Sequence, residues 1–250
     1  MTFYSAPRYV VACELGPATA LVNYRTGRLL ILVGPAASWW TDLASSGDTT
    51  TCQTLLPADG ALLCEQLTAA GLLVQTAEAE PWSPPVAGKP WVPSWGTQEV
   101  LAGLGPLPRA RLRARLVAAV AILLVFAVRH FGRRGADMHR LVSVLRWCVR
   151  RADRPATPAQ AHRAVAAVRR VANLFPGRVA CLEESAAVVF LLSASRCWVT
   201  WCHGVAADPV RLHAWVRTSN GHAVAEPPST ARFAPLLTIT KHPHKGDDHH

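Results

Sequence analysis

The sequence is short of charge, of long apolar runs and of any regular cysteine spacing. Only 17% of its 250 residues are charged, while 50% are hydrophobic, a composition that favours a folded chain and excludes disorder over most of its length. The longest uncharged apolar run, residues 116–128, has 13 residues, whereas a membrane-spanning helix needs about 20. We therefore predict a buried helix there and no stable membrane insertion.

Paired cysteines, a secretion signal and phosphate-binding loops are also missing. The seven cysteines form no C-x-x-C pair, and the first residues lack the basic and apolar regions of a signal peptide. Free thiols in the cytoplasm are therefore expected. Cys197, Cys202 and His203 lack a second pair of ligands at zinc spacing, so we predict that they pack in a core. Since no glycine-rich phosphate loop is present, we predict no cofactor and no metal.

Positive charge is confined to the middle of the chain. Residues 1–80 have three basic and seven acidic side chains, residues 81–180 have 17 and three, and residues 181–250 have six of each. The arginines alternate with apolar positions at helical spacing within residues 109–151, and no nucleic-acid readout motif accompanies them. A solvated helix face or attraction of an acidic partner explains them better than nucleic-acid binding, and their role stays open.

The first third of the chain is predicted to combine a small sheet with two helices. Residues 9–34 alternate as three half-buried strands, and an R-T-G turn joins the last two as a hairpin, which gives a β meander. Helices are expected over residues 35–47 and 57–71. Pro35 suits the first position of one, and Gly71 stands at the end of the other. A short strand follows.

A linker separates this region from a second domain. Five prolines and three tryptophans between residues 78 and 96 exclude a regular helix, so the linker is predicted over residues 79–107. The resulting division is a domain at 1–78, a second domain at 108–236 and a polar, disordered tail at 237–250.

The second domain is predicted to be helical first and β-rich later. Helical patterns cover residues 108–131, 136–152, 158–174 and 181–194. Residues 197–205 and 211–227 are β-like, and Asn220 with Gly221 in the latter is a strong hairpin signal. An α+β class follows from this order of elements.

Cys181 is the candidate nucleophile. It follows a Pro-Gly break and begins the apolar helix, so its sulfur is expected at the positive end of a helix dipole, which favours the thiolate. A cysteine at that position is also common as plain core packing, and a neighbouring base decides between the two interpretations.

A histidine and an acid are predicted beside this thiol. With the Asn-Gly pair at the centre of the turn, Glu226 lies diagonal to His213 on one face of a hairpin, where its carboxylate can orient the imidazole. Trp215 shares that face and is predicted to line a substrate pocket. Asp208, in a preceding loop, and Asn220, in the turn, are the other candidates for the third member.

This order of cysteine, histidine and acid is typical of papain-like and transglutaminase-like thiol enzymes. LFPGRVACLEESAAVVFLL, with C-L at a helix start, and the later H-A-W-V resemble the leader peptidase of lasso-peptide biosynthesis. Residues 1–76, with L-V-N-Y-R-T-G-R-L-L-I-L, W-W and L-x-x-x-G-L-L-V, resemble the peptide-recognition element related to the pyrroloquinoline-quinone peptide chaperone. Over residues 1–76 and 108–228 the chain resembles the fused lasso-peptide B protein, although Glu226 replaces that family's usual aspartate.

The resemblance implies a fold, an activity and partners. The fold is a winged-helix-like recognition domain followed by a transglutaminase/papain-like α+β domain with a helical N-terminal part. The activity is cleavage of a ribosomal precursor peptide by Cys181, His213 and Glu226. The partners are the precursor's leader and an asparagine-synthetase-like lasso cyclase. The leader is expected to add a strand to the meander's edge, in a groove formed by Leu30, Leu32, Leu63 and Leu67, although core packing explains each leucine equally well.

Two alternatives without catalysis stay open. A winged-helix regulator would contact DNA through a basic first domain, whereas residues 1–80 are net acidic. A precursor-peptide chaperone would keep the fold without the activity, and replacement of Cys181 would then change nothing.

Overall fold

The computed structural model describes residues 2–89, 112–207 and 209–241. The chain divides into two units, residues 1–91 and 92–248, and both contain helices and strands, as the predicted α+β class requires. In the part of the chain that the structure describes, no helix is long and apolar enough to cross a membrane.

The first unit contains two helices and six strands. These are β1 (Phe3–Ser5), β2 (Val10–Glu14), β3 (Ala18–Asn23), β4 (Arg28–Val33), α1 (Pro35–Ser46), α2 (Pro57–Ala69), β5 (Val74–Thr76) and β6 (Val86–Ala87). Strands β2, β3 and β4 form the predicted antiparallel meander. Its second turn is tight because the side chain of Asn23 accepts hydrogen bonds from the backbone of Arg25 and Thr26. β1 and β5 form a separate antiparallel pair.

The first unit continues into the segment that was predicted to be a linker. β6 pairs parallel with the edge of β2, and the ring of Trp82 lies 5.8 Å from that of Trp40, edge to face. The linker prediction is therefore wrong for residues 79–89. Proline excludes a helix there, but it does not exclude an edge strand or the burial of an aromatic ring. Residues 90–107 of the predicted linker lie outside the described residues.

Four helices begin the second unit, and all four were predicted. They are α3 (Leu112–His130), α4 (Asp137–Arg151), α5 (Pro158–Ala172) and α6 (Cys181–Ser193). The first is not the buried helix expected over residues 116–128, because five of its large apolar side chains are 45% exposed or more: Leu116, Val117, Val120, Leu123 and Leu124. The start of α5 is fixed by a reciprocal cap, since Gln160 N–H donates to the Thr157 hydroxyl and Thr157 N–H donates to the Gln160 side chain. Residues 108–111, where the first of these helices was predicted to begin, lie outside the described residues.

A three-stranded antiparallel sheet completes the second unit. Its central strand is β9 (Thr200–Ala206), flanked by β10 (Arg211–Arg217) and β11 (Ala234–Ile239). A further short parallel pair joins β7 (Arg154–Pro155) to β8 (Cys197–Trp198). Because β11 extends to Ile239, the prediction of a disordered tail is wrong for its first residues. Residues 242–250 of that tail lie outside the described residues.

The second arm of the predicted hairpin is not a strand. The turn closes with a hydrogen bond from Thr218 N–H to His222 C=O, and one bridge joins Arg217 to Ala223. This bridge shifts the pairing by one residue from the predicted register. Ala225 then takes a left-handed conformation, with φ of 52°, and the chain leaves the sheet before Glu226.

Candidate active site

Cys181 is the first residue of α6, as predicted. Ala180 before it is extended, and its N–H donates to the carboxylate of Glu183, 3.0 Å away. Glu183 is buried and also accepts from Arg129 of α3. Through Glu183, α3 therefore helps to hold the start of α6 in place, although the two elements are about fifty residues apart in the sequence. This acid was not predicted from the sequence, although a glutamate at the third helical position is a known capping signal.

Cys181 and His213 line the same cavity, and each shifts the pKa of the other. Burial raises the pKa of Cys181, but hydrogen bonds from His213 and from the backbone N–H of Ala214 more than offset it, so that pKa lies below its ordinary value. Burial lowers the pKa of His213, yet its bonds to Cys181 and Glu226 raise it to about 9. The arrangement therefore favours a thiolate beside an imidazolium.

Glu226 is the acid that contacts the histidine. The His213 Nε2 donates to Oε2 of Glu226 over 2.7 Å, which leaves Nδ1 as the ring nitrogen for the thiol. Thr230 donates to the same carboxylate oxygen over 3.2 Å. The predicted contact between His213 and Glu226 is thus present, but Glu226 makes it from an irregular loop rather than from a neighbouring strand.

Arg169, near the end of α5, contacts the other side of the acid. Its Nη2 lies 2.6 Å from Oε1 of Glu226, and the two carboxylate oxygens therefore have different partners. Arg169 was not predicted from the sequence, because nothing in its position along the chain distinguishes it from the other 16 basic residues of the middle third.

Of the other two candidates for the third member, the structure describes only Asn220, which does not contact the histidine. Asn220 is exposed in the turn, where its side chain is a partner of the neighbouring Ser219. Asp208 lies outside the described residues.

A small cavity adjoins the thiol and the imidazole. Trp215 lines it, as predicted, and its ring stacks on that of His213 with centroids 5.7 Å apart. The volume is about 30 Å³, and the apolar lining consists of Val165, Val168, Val188, Ala214, Trp215, Val216 and Val224. Gly204 lies opposite His213 on β9. A Cβ there would stand 2.4 Å from the carbonyl oxygen of Ala234 and 3.0 Å from the Trp215 ring, so only glycine fits.

The four leucines of the predicted peptide groove divide between surface and core. Leu30 is 38% exposed, and Leu63 is half-buried. Leu32 and Leu67 are only 5% and 1% exposed and belong to the core of the first unit. For these two, the prediction of a groove position is wrong, because both side chains are buried against the other residues of that core. Among the described residues, no strand pairs with the outer edge of β4.

No group of three histidine, cysteine or acidic side chains that could hold a metal ion occurs in residues 2–89, 112–207 and 209–241. Cys197, Cys202 and His203 are buried in the β-rich part of the second unit.

Comparison with known proteins identifies the family of the second unit. Residues 108–238 match the model of the transglutaminase-like superfamily, which is just over half of the chain, and the chain belongs to that superfamily. Its members are typically Cys-His-Asp thiol hydrolases or transferases, and the contacts among Cys181, His213 and Glu226 are of that kind. No curated protein and no solved structure matches the chain.

Proposed function

We propose that the chain is a cytoplasmic cysteine endopeptidase that removes the leader from a ribosomally made lasso-peptide precursor. The observation that carries the proposal is that Cys181, at the start of α6, lines one cavity with His213 and Glu226, where Nε2 of His213 lies 2.7 Å from the Glu226 carboxylate, in a domain of the transglutaminase-like superfamily. Peptide specificity is supported by the C-L and H-A-W-V motifs that resemble the lasso-peptide B protein.

The proposed reaction is acyl transfer through a thioester. The Cys181 thiolate attacks the carbonyl carbon of the scissile bond, and the His213 imidazolium gives its proton to the departing nitrogen of the core peptide. The leader then remains bound to sulfur as a thioester. Neutral His213 next takes a proton from water, whose oxygen attacks the thioester, and the leader leaves with a free carboxylate as the thiol is restored.

Glu226 holds the imidazole during both steps. Its carboxylate fixes Nε2 and stabilises the positive ring, which keeps Nδ1 directed at sulfur. Trp215 covers one face of the ring and limits its rotation.

In this proposal the first unit is a winged-helix-like domain that binds the leader. The outer edge of β4 offers backbone donors and acceptors for an added strand, and Leu30, Ile31 and Val33 are exposed there. Because both units belong to one chain, a bound leader raises the effective concentration of its own scissile bond. A lasso cyclase would then receive the released core peptide.

The test is mass spectrometry of a lasso-type precursor after incubation with the parent protein and with Cys181→Ala. Cleavage of a single bond by the parent and none by the variant is the expected result. Cys52→Ala, which removes a buried thiol of the first unit, serves as the matched control and should cleave normally.

Two results would contradict the proposal. Equal cleavage by Cys181→Ala would show that this thiol is not the nucleophile. Binding of the precursor without cleavage, with the partner cyclase also present, would instead indicate a chaperone whose Cys181 is merely packed.

A further inference from the structure

Arg169 connects three segments that meet at the thiol site. It lies on α5, and its side chain is only 16% exposed. Each nitrogen of its guanidinium group binds a different oxygen. Nε contacts Glu184 of α6 at 3.4 Å, Nη1 donates to the Ala225 carbonyl over 2.6 Å, and Nη2 donates to Glu226 over 2.6 Å.

The loop that presents Glu226 has no strand to fix it. Ala225 has a positive φ of 52°, a conformation that costs an L-residue energy and persists only when the surroundings hold it. Arg169 binds both the carbonyl of this residue and the carboxylate of the next one. It therefore fixes the backbone and the side chain of the loop at the same place.

The carboxylate itself is oriented by separate partners on its two oxygens. Oε1 of Glu226 faces Arg169, and Oε2 faces His213 and Thr230. Without a partner on Oε1, only the contacts of Oε2 with His213 and Thr230 would orient the carboxylate.

We propose that Arg169 is a positioning residue of the thiol site, which acts by holding Glu226 against His213 and so maintains the ion pair with Cys181. The inference rests on the proposed function for its place in peptide cleavage. Its immediate consequence, the state of the thiol, is independent of any peptide.

Four other charged or titratable groups line the cavity with this carboxylate, among the residues that the structure describes. α5 contributes Arg169, α6 contributes Cys181 and Glu184, and β10 contributes His213. Burial raises the pKa of Glu184, although Arg169 opposes that effect, so the guanidinium faces two acids. A guanidinium fork satisfies several oxygens at fixed geometry, whereas a lysine ammonium acts as a point charge. Geometry, and not charge alone, is therefore what Arg169 supplies.

The test is the pH dependence of Cys181 alkylation by iodoacetamide, measured from the mass of the peptide that contains it. The other six cysteines are buried, and peptide mapping separates them. In the parent protein the thiolate should persist well below the pH at which an ordinary thiol loses its proton. In Arg169→Gln the pH at which the alkylation rate rises should move upward, and alkylation should be about tenfold slower at pH 6. Arg169→Lys should resemble Arg169→Gln.

Arg163→Gln is the matched control. Arg163 lies on the same helix, is exposed and donates to the carbonyl of Ala159 on its own helix, so its variant should follow the parent curve. Circular dichroism establishes that each variant is folded.

Two results would overturn the inference: a folded Arg169→Gln with the parent's pH profile, or an Arg169→Lys that restores the parent's profile in full. The lysine variant also serves if the glutamine variant does not fold. Alkylation needs no precursor. A shifted pH profile of alkylation in Arg169→Gln, together with no leader cleavage by the parent, would therefore support this inference and contradict the proposed function.

Discussion

Two histidines on neighbouring strands differ in pKa, and the difference shows how the site changes the charge of a buried imidazole. His203 on β9 pairs with Ala214, and His213 on β10 pairs with Gly204, so the two side chains point to opposite faces of the sheet. Burial, with the positive charge of His213 nearby, lowers the pKa of His203 to about 4. The pKa of His213, which burial alone would lower, is raised to about 9 by Cys181 and Glu226.

The tryptophans that stack on the two rings are alike and do not explain the difference, and Phe233, which lies 5.1 Å from the His213 ring, adds no charge. His203 stacks on Trp201 with centroids 6.0 Å apart, and His213 stacks on Trp215 at 5.7 Å, each with planes within 10°. What differs is the pair of anionic partners at His213. Desolvation thus favours neutral His203 on one face of the sheet, while a thiolate and a carboxylate favour protonated His213 on the other.

The largest contrast is expected when each histidine is replaced by glutamine. His213→Gln removes the acid and base of the proposed reaction, so leader cleavage should fall by about 10²- to 10⁴-fold, and Cys181 alkylation at neutral pH should slow. His203→Gln, the matched variant, should cleave at a rate close to the parent's once folded. Initial cleavage rates by mass spectrometry measure both. Equal losses in the two variants would remove the distinction between the two faces.

The two histidines should also stabilise the fold in opposite pH ranges. His203 is neutral when folded and has a lower pKa than its unfolded value of 6.5. Its contribution is therefore present above about pH 6.5 and is lost as the pH falls to about 4, by about 3 kcal/mol in total. His213 has a raised pKa, so its contribution is full below about pH 6.5 and is lost as the pH rises through about 9.

Urea unfolding of the parent, His203→Gln and His213→Gln across this range measures these contributions. Comparison with the parent cancels the titration of all other groups. The loss of stability on the acidic side should be smaller in His203→Gln, and the loss on the alkaline side should be smaller in His213→Gln. Parallel curves for all three proteins would contradict the opposite assignments.

Local signals were enough to predict most elements and to name Cys181, His213 and Glu226, although Glu226 was placed on a strand that does not form. Pro35 and the Pro-Gly break before Cys181 mark helix starts by their own chemistry, and the helices appear there. Cys181 and His213 were found because a helix start and a strand can each be recognised from a few consecutive residues.

The connections between distant segments were beyond such signals. Arg169 and Glu226 are 57 positions apart, and no periodicity relates them. The Asn-Gly pair correctly predicted a turn, but it gave no indication that Ala225 would leave the sheet at a positive φ. The prediction of a second strand in this hairpin was wrong for this reason, and Glu226 contacts His213 from a loop instead.

Glu226→Gln sharpens the comparison by making the surroundings of His213 more like those of His203. The amide keeps the shape of the side chain but removes the negative charge, so the pKa of His213 should fall below about 9 and the alkaline limit of activity should move down with it. Cleavage should decrease about tenfold or more, measured as rate against pH.

Asp153→Asn is the control for loss of a carboxylate. Asp153 pairs with Arg196 at the surface, where both side chains are more than half exposed, and its replacement should leave the pH profile unchanged. If Glu226→Gln kept the parent's alkaline limit, the carboxylate would not be what holds the proton on His213.

The smallest effect is expected at Thr230. Its hydroxyl donates to Oε2 of Glu226 over 3.2 Å, while Arg169 and His213 bind the same carboxylate over shorter distances. Thr230→Val keeps the shape and removes this one donor, so cleavage should fall by less than about tenfold, and Thr230→Ser should restore it. A loss in Thr230→Val as large as that in Glu226→Gln would mean that the hydroxyl, and not Arg169, decides where the carboxylate points. The difference between the two histidines would then depend on a neutral donor rather than on the buried guanidinium.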